Sequence, residues 1–339
     1  MPNKYPILLE LEISNQCNSQ CRECVRSKGS DIIKKLIATP NYWTVDDIIT
    51  YFPDDLIANV QIIEFIGELG DPLMNPNFLN ILQYIHSKNP KLRFTISTNG
   101  SLRDIEFWTT FGNISKDMKL EVVFAIDGLS DTNHIYRKGC NFDKIIRNAK
   151  IFIQQGGNAT WQFIKFEHNS HQVKDAKSLA MSLGFNRFFI VPNELIMNRN
   201  HDKISNSIHK LKLKIIKQKY RAELFEVNKQ CGVCNNNVSI TNNFEVFTCG
   251  LLYFDTTYYH NKIKITETNS IVDIFNSEEY QKIKEALIIG TNVDNCECLL
   301  HYLKHIDYDI NTILNPDFDK INSFSQELSS GAIFDMIDH

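Results

Sequence analysis

Apolar, β-branched runs alternate with amphipathic stretches from residue 7 to about residue 222. The runs predict strands near 7–13, 60–66, 92–98, 120–126, 159–166 and 187–191. Between them, apolar positions at helical spacing predict helices near 44–51, 77–88, 103–111, 142–155, 171–183 and 203–222. Six βα units at this spacing imply a parallel sheet with helices on its outer face. Six units are too few to close an eight-stranded barrel, so the expected fold is α/β, a partial (β/α)6 TIM-like barrel left open. Ligands of such folds gather at the carboxyl ends of the strands. A longer stretch, 28–59, separates the first two strands. Within it, Thr44 followed by Asp47 reads as a capping box that opens a helix.

After residue 222 the rhythm changes to Asn-rich turns (235–237, 242–243) and short strands, with a hairpin expected around Asn242-Asn243. The expected organisation is a partial-barrel domain over 1–225, a small C-terminal cysteine-rich α+β module over 226–305, and a tail over 306–339.

The candidate chemistry begins with Cys17, Cys21 and Cys24, spaced C-x3-C-x2-C in a polar loop (Asn15, Gln16, Asn18, Ser19, Gln20) after the first strand. Three thiolates from one short loop suit a cubane iron–sulfur cluster with one iron left open for substrate or cofactor. Structural zinc usually takes four ligands in paired knuckles, a template this triplet fits poorly. Three further segments fall at predicted strand ends: Ile-Gly-Glu-Leu-Gly-Asp-Pro-Leu (66–73), Ile-Ser-Thr-Asn-Gly (96–100) and Ala-Ile-Asp-Gly-Leu (125–129).

Taken in this order, the triplet and the three segments make residues 7–195 resemble the radical SAM superfamily. The resemblance implies a 4Fe–4S cluster on Cys17, Cys21 and Cys24, with S-adenosylmethionine (SAM) on its fourth iron. It implies reductive cleavage of SAM to a 5′-deoxyadenosyl radical that takes hydrogen from a substrate C–H. Gly70, Asp71 and Pro72 correspond to a Gly-Glu-Pro element whose backbone receives the methionine amino group; Asp71 is one methylene shorter than the usual Glu. Thr98 and Asn99 fall where ribose contacts are expected. Asp127 lies in a Ser-Ile-Asp-Gly-like segment in which Ala125 replaces the serine. Arg137 stands where relatives place an arginine on the SAM carboxylate, with Lys138 as the alternative, and a guanidinium fork matches a carboxylate well. Pro192, in Val191-Pro192-Asn193, is the candidate edge for the adenine.

Glu10 and Glu12 share one side of the first strand and either line the barrel cavity or face solvent; Gln162, Lys165 and Glu167 are similar candidates on strand five. Cys140 stands alone in a loop as a free thiol, which near the cavity could return a hydrogen atom to a substrate radical.

A second cysteine group, Cys231, Cys234, Cys249, Cys296 and Cys298, resembles the start of SPASM and twitch modules, as does Ser270–Tyr280. Five thiols permit one auxiliary 4Fe–4S cluster and a spare, with Cys231 rivalling Cys234; a structural zinc is the alternative. His301 and His305 read as surface residues.

Composition narrows the setting. With a formal net charge of −4, the chain has no basic surfeit to mark a nucleic-acid partner. No apolar run reaches the ~18 residues of a membrane span. Nine cysteines in short-spaced sets, with no export signal expected, favour reduced thiolates and a cytoplasmic location. Expected partners are a small-molecule or peptide substrate and a reductant such as flavodoxin or ferredoxin. Few residues precede the first strand, so no leader-binding domain is expected, which puts oxidation or modification of a sugar or aminocyclitol ahead of a ribosomal peptide or protein residue. A non-catalytic iron–sulfur or zinc-binding adaptor is the reading from another class, permitted by Asp71 and Ala125.

Overall fold

The computed structural model describes residues 4–29, 31–192, 237–247, 263–266 and 268–282. Six strands run parallel, each paired with the next in sequence: β1 (Leu8–Leu11), β2 (Ile62–Phe65), β3 (Arg93–Thr98), β4 (Lys119–Ala125), β5 (Asn158–Lys165) and β6 (Arg187–Pro192). Helices cover Val45–Tyr51, Phe78–Lys88, Ile105–Ser115, Phe142–Gln154 and Val173–Leu183, each where the apolar spacing predicts one. The helix expected over 203–222, the boundary near 225 and the tail lie outside the described residues. Thr44 and Asp47 form the expected capping box, each side chain bonded to the other's backbone. Short helices not legible in the sequence occupy Val25–Lys28, Asp31–Ile37, Asp54–Asn59 and Asn133–Tyr136.

The hairpin around Asn242-Asn243 is present as β7 (Asn237–Ile240) antiparallel to β8 (Glu245–Phe247), with β9 (Ile263–Lys264) beyond it. β7 also pairs in parallel with β1, Leu8 opposite Asn237, so the barrel's sheet continues into this later part of the chain. The strand order is β6-β5-β4-β3-β2-β1-β7-β8-β9. β7 satisfies the free row of N–H and C=O groups that β1 would otherwise present as an edge.

Alternation along the strands sorts the two faces. Leu9, Leu11, Ile63, Phe65, Phe94 and Ile96 turn to the helices and are buried with Phe78, Trp108, Phe111 and Phe152. Each such aromatic or aliphatic side chain contributes about 2–3 kcal/mol relative to exposure. The opposite, inner face is polar: in register stand Glu10 and Glu64, Glu64 and Thr95, Thr95 and Glu121. Glu10 and Glu12 therefore belong to the barrel interior. Among the described residues, no helix is long and apolar enough to cross a membrane.

Candidate functional site

The loop that follows β1 carries the three cysteines, and its neighbours grip it from several sides. The Asp71 N–H donates to the Gln16 carbonyl at 2.8 Å. At Gly70 the two backbones meet so closely that a Cβ there would lie 2.3 Å from Ser14 O and 2.7 Å from Gln16 N. Arg26 ties the same two loops by donating to the carbonyls of Asn15, at 2.5 Å, and Leu69. Glu12, fully buried, accepts the N–H groups of Glu68 at 2.8 Å and Leu69 at 3.1 Å.

From the end of β3, Asn99 Nδ2 donates to Asn18 Oδ1 and Asn18 Nδ2 to Ser101 Oγ, both at 2.8 Å. From the loop after β4, the Lys138 carbonyl accepts from Gln20 N at 2.8 Å and Ser19 Oγ at 3.0 Å. Gly139 follows at φ 87°, a left-handed conformation that favours glycine, and a Cβ there would stand 2.9 Å from Asn18 O.

Within this grip each sulfur has a nearby polar N–H. Cys17 Sγ faces Ser19 N at 3.4 Å and Asn99 Nδ2 at 3.8 Å. Cys21 Sγ lies 3.1 Å from Ser19 Oγ and 3.7 Å from Arg137 Nη1. Cys24 caps its short helix, its Sγ 3.4 Å from Arg26 N. Burial, followed by the charge of Asp71, pushes the Cys17 thiol up to about 12 against the pull of the Ser19 N–H. Burial likewise raises Cys24. Such thiols stay protonated until a metal displaces the proton.

Asp71, 4% exposed, is the hub behind Cys17. Its carboxylate accepts Leu73 N, Thr98 Oγ1, Asn99 N and Asn99 Nδ2 at 2.8–3.0 Å. Asp71, Thr98 and Asn99 thus form one network that joins the β2 loop to the end of β3. Pro72 opens a short 3-10 turn, Pro72–Met74, capped by the Asp71 side chain.

On the other side of the triplet, Arg137 Nε donates to Asp127 Oδ2 at 2.6 Å, while Asp127 Oδ1 accepts Ile164 N at 2.6 Å. Burial pushes the Asp127 carboxyl upward, but a guanidinium keeps its proton in proteins, and the ion pair is the form these contacts describe. Asn133 and Asn169 brace the pair: Asn133 accepts Asp127 N at 2.9 Å, and Asn169 donates to Asp127 O at 2.9 Å.

Pro192 closes β6 opposite Lys165, at the same end of the sheet. Cys140 is buried, and its thiol meets the hydroxyls of Ser101 and Ser19, next to Cys21. The sequence reading missed Asn18, Ser19, Arg26, Ser101, Asn133 and Asn169. The signal at hand was a run of polar residues inside the cysteine loop. Cys231, Cys234, Cys249, Cys296, Cys298, His301 and His305 lie outside the described residues.

Residues 11–166, which hold every part of this network from Glu12 to Ile164, match the radical SAM superfamily. These residues are a radical SAM domain. The radical SAM domain also shares a stretch of 92 residues, 25% identical, with the GTP 3′,8-cyclase of Streptomyces coelicolor. That stretch is 27% of this chain and 26% of the relative, so the chain matches about a quarter of the curated relative's length. Streptococcus suis SuiB bound to S-adenosylmethionine has the same fold with a TM-score of 0.60 at 15% identity, over 83% of this chain and 68% of that one. The enzyme anSMEcpe with bound AdoMet matches with a TM-score of 0.57 at 13% identity, over 98% of this chain and 100% of that one.

A radical SAM domain implies a 4Fe–4S cluster and SAM, and the donor set here fits them. One loop offers three thiols, and N–H groups of Ser19, Arg26, Asn99 and Arg137 point at sulfur. Hydrogen bonds to sulfur are what tune such clusters. Among the described residues, no group of three or more His, Cys, Asp or Glu side chains could hold a single metal ion.

Proposed function

We propose that this chain is a radical SAM enzyme whose 4Fe–4S cluster is held by Cys17, Cys21 and Cys24. The observation that carries the reading is the N–H groups that converge on three buried thiols at the carboxyl end of β1. When bound, the reduced cluster and SAM supply homolytic chemistry that removes hydrogen from an unactivated carbon. The protein's own contribution is to hold, orient and exclude water.

Gly70, Asp71 and Pro72 present the backbone proposed to take the methionine amino group, and Asp71 fixes that backbone through Leu73, Thr98 and Asn99. Thr98 and Asn99 are assigned to the ribose side. Their side chains already serve Asp71 and the cysteine loop, so these two residues act chiefly by position. Asp127 aims Arg137, whose Nη1 lies toward Cys21 and whose remaining N–H groups suit the SAM carboxylate. Pro192 is assigned to the adenine edge.

Cys234, Cys249, Cys296 and Cys298, with Cys231 as the rival of Cys234, are proposed to hold an auxiliary 4Fe–4S cluster. The substrate proposed is a small molecule of sugar or aminocyclitol type, supported by the polar inner face of the barrel. Electrons would come from a flavodoxin- or ferredoxin-type partner in the cytoplasm.

The test is anaerobic. Reconstituted protein with dithionite and SAM releases 5′-deoxyadenosine, and Cys17→Ala does not. Absence of release from protein whose first cluster is spectroscopically intact overturns the assignment. Iron of about eight per chain supports two clusters, and about four with zinc replaces the second by a structural metal.

A further inference from the structure

The inner face of the barrel carries more carboxylates than the chemistry at the strand ends uses. Glu10 stands beside Glu64 in the register, and Thr95 separates Glu64 from Glu121. Glu10 accepts the hydroxyl of Ser239 on β7. Glu121 accepts the hydroxyl of Thr160 and lies 3.9 Å from Arg187 Nη2. Glu64, between the two, makes no hydrogen bond or ion pair among the described residues. Burial, then Glu10, then Glu121, pushes its carboxyl up to about 8.

The other charges on this face are accounted for. Glu12 is occupied by the N–H groups of Glu68 and Leu69. Arg93 and Lys119 share a register row two residues nearer the strands' amino ends and are exposed. Glu245 stands opposite Lys264 at the far side of the sheet.

An independent observation comes from β7. Asn237 is 2% exposed, and neither its Nδ2 nor its Oδ1 has a hydrogen-bond partner among the described residues. It lies two residues before Ser239, so strand alternation puts it on the face from which Ser239 reaches Glu10. A buried amide left unpaired is unfavourable, as is a carboxylate desolvated between two others; a ligand that donates N–H groups relieves both.

We infer that this inner face binds a cationic nitrogen of the substrate, a primary ammonium or a guanidinium, held at Glu64 with Glu10 and Glu121 on either side and Asn237 nearby. An ammonium carries three N–H donors and no acceptor, which suits a row of carboxylates. Anchored there, the rest of the molecule extends toward the strand ends that carry Cys17, Asp71 and Arg137. The inference rests on the radical SAM reading in that it takes the barrel interior as the substrate cavity.

Reconstituted holoenzyme with SAM is titrated, by ligand-observed NMR, with propylammonium, propylguanidinium and propan-1-ol. Expected is at least about tenfold tighter binding of the two cations than of the alcohol. Glu64→Gln, and separately Glu121→Gln, should weaken the cations at least about fivefold while SAM binding is unchanged. 2-Deoxystreptamine and Nα-acetyl-lysine amide then distinguish a free aminocyclitol from a peptide lysine as the source of the amine. Equal binding of cation and alcohol, no cation binding up to about 100 mM, or full affinity in both variants overturns the inference. Holoenzyme that takes the cations yet releases no 5′-deoxyadenosine keeps this site and removes the catalytic reading. Release without cation binding removes this site alone.

Discussion

The carboxylate of Asp71 accepts both N–H groups of Asn99, the backbone at 2.9 Å and the side chain at 2.8 Å. That same Asn99 side chain reaches Asn18 Oδ1 at 2.8 Å and Cys17 Sγ at 3.8 Å. A single acid thus positions the end of β3 and, through it, one thiol of the triplet.

Asp71→Asn puts an amide donor where only acceptors serve, against the N–H groups of Leu73 and Asn99. Leaving one or two buried donors unsatisfied costs about 2–4 kcal/mol. The expected outcome is a lower midpoint in urea and substoichiometric iron after reconstitution. Unchanged iron and stability would contradict the hub role.

Arg137→Ala leaves the fully buried Asp127 without its ion-pair partner. Breaking such a pair from one side costs about 3–5 kcal/mol, and the double variant with Asp127→Asn should recover a substantial part. Arg137→Lys keeps the charge and loses the fork. Its cluster should show a more negative potential, because Cys21 loses the N–H now 3.7 Å away. Protein-film voltammetry reads that shift.

Gly70→Ala places a methyl group 2.3 Å from Ser14 O and 2.7 Å from Gln16 N, both backbone atoms. The two loops must separate, at a cost of about 2–3 kcal/mol. SAM affinity should fall together with stability, measured by equilibrium dialysis and thermal melts. Gly156→Ala is the contrasting control, since its nearest neighbour would be the Lys116 Cβ at 3.2 Å, at φ 95° on the surface.

Glu64 gives stability a pH signature. Its carboxyl is held at about 8 in the folded chain, above the ordinary 4.5. The folded state therefore binds the proton more tightly than the unfolded chain. Stability is full below about pH 4.5, falls as pH rises toward about 8 and levels off beyond. The loss is on the order of 2 kcal/mol, taken below the full shift because the side chain is partly exposed. Glu64→Gln should flatten that slope in urea titrations at pH 5, 6, 7 and 8; a parallel slope in both proteins would refute the burial of this acid. Added propylammonium should restore wild-type stability at pH 8 and leave the variant unmoved.

Periodicity carried the strands well: β3 occupies Arg93–Thr98 where the apolar run 92–98 predicts it, and β5 occupies Asn158–Lys165 against 159–166. The cysteine spacing and the segments at 66–73, 96–100 and 125–129 reach the right end of the sheet because strand ends are local features. The bracing residues were not legible for the opposite reason. Asn18 meets Ser101 across 83 residues and Ser19 meets Lys138 across 119, and an asparagine or serine in a polar loop carries no mark of so distant a partner. Arg26 looks like any exposed helix arginine until the Leu69 carbonyl is seen beside it. The place of β7 was hidden too, since a short alternating strand does not say which sheet edge it will complete.

The clamp of the Lys138 carbonyl on Ser19 and Gln20 has a bearing on biogenesis. A chain made from its amino end exposes Cys17, Cys21 and Cys24 before the segment that secures them exists. At about 5–20 residues per second, that interval lasts roughly 6–25 s on each ribosome. During it the thiols are open to oxygen and to stray zinc or copper. Cluster delivery must therefore follow completion of the loop after β4, and a nascent chain paused before residue 138 would be a substrate for oxidation rather than for iron insertion.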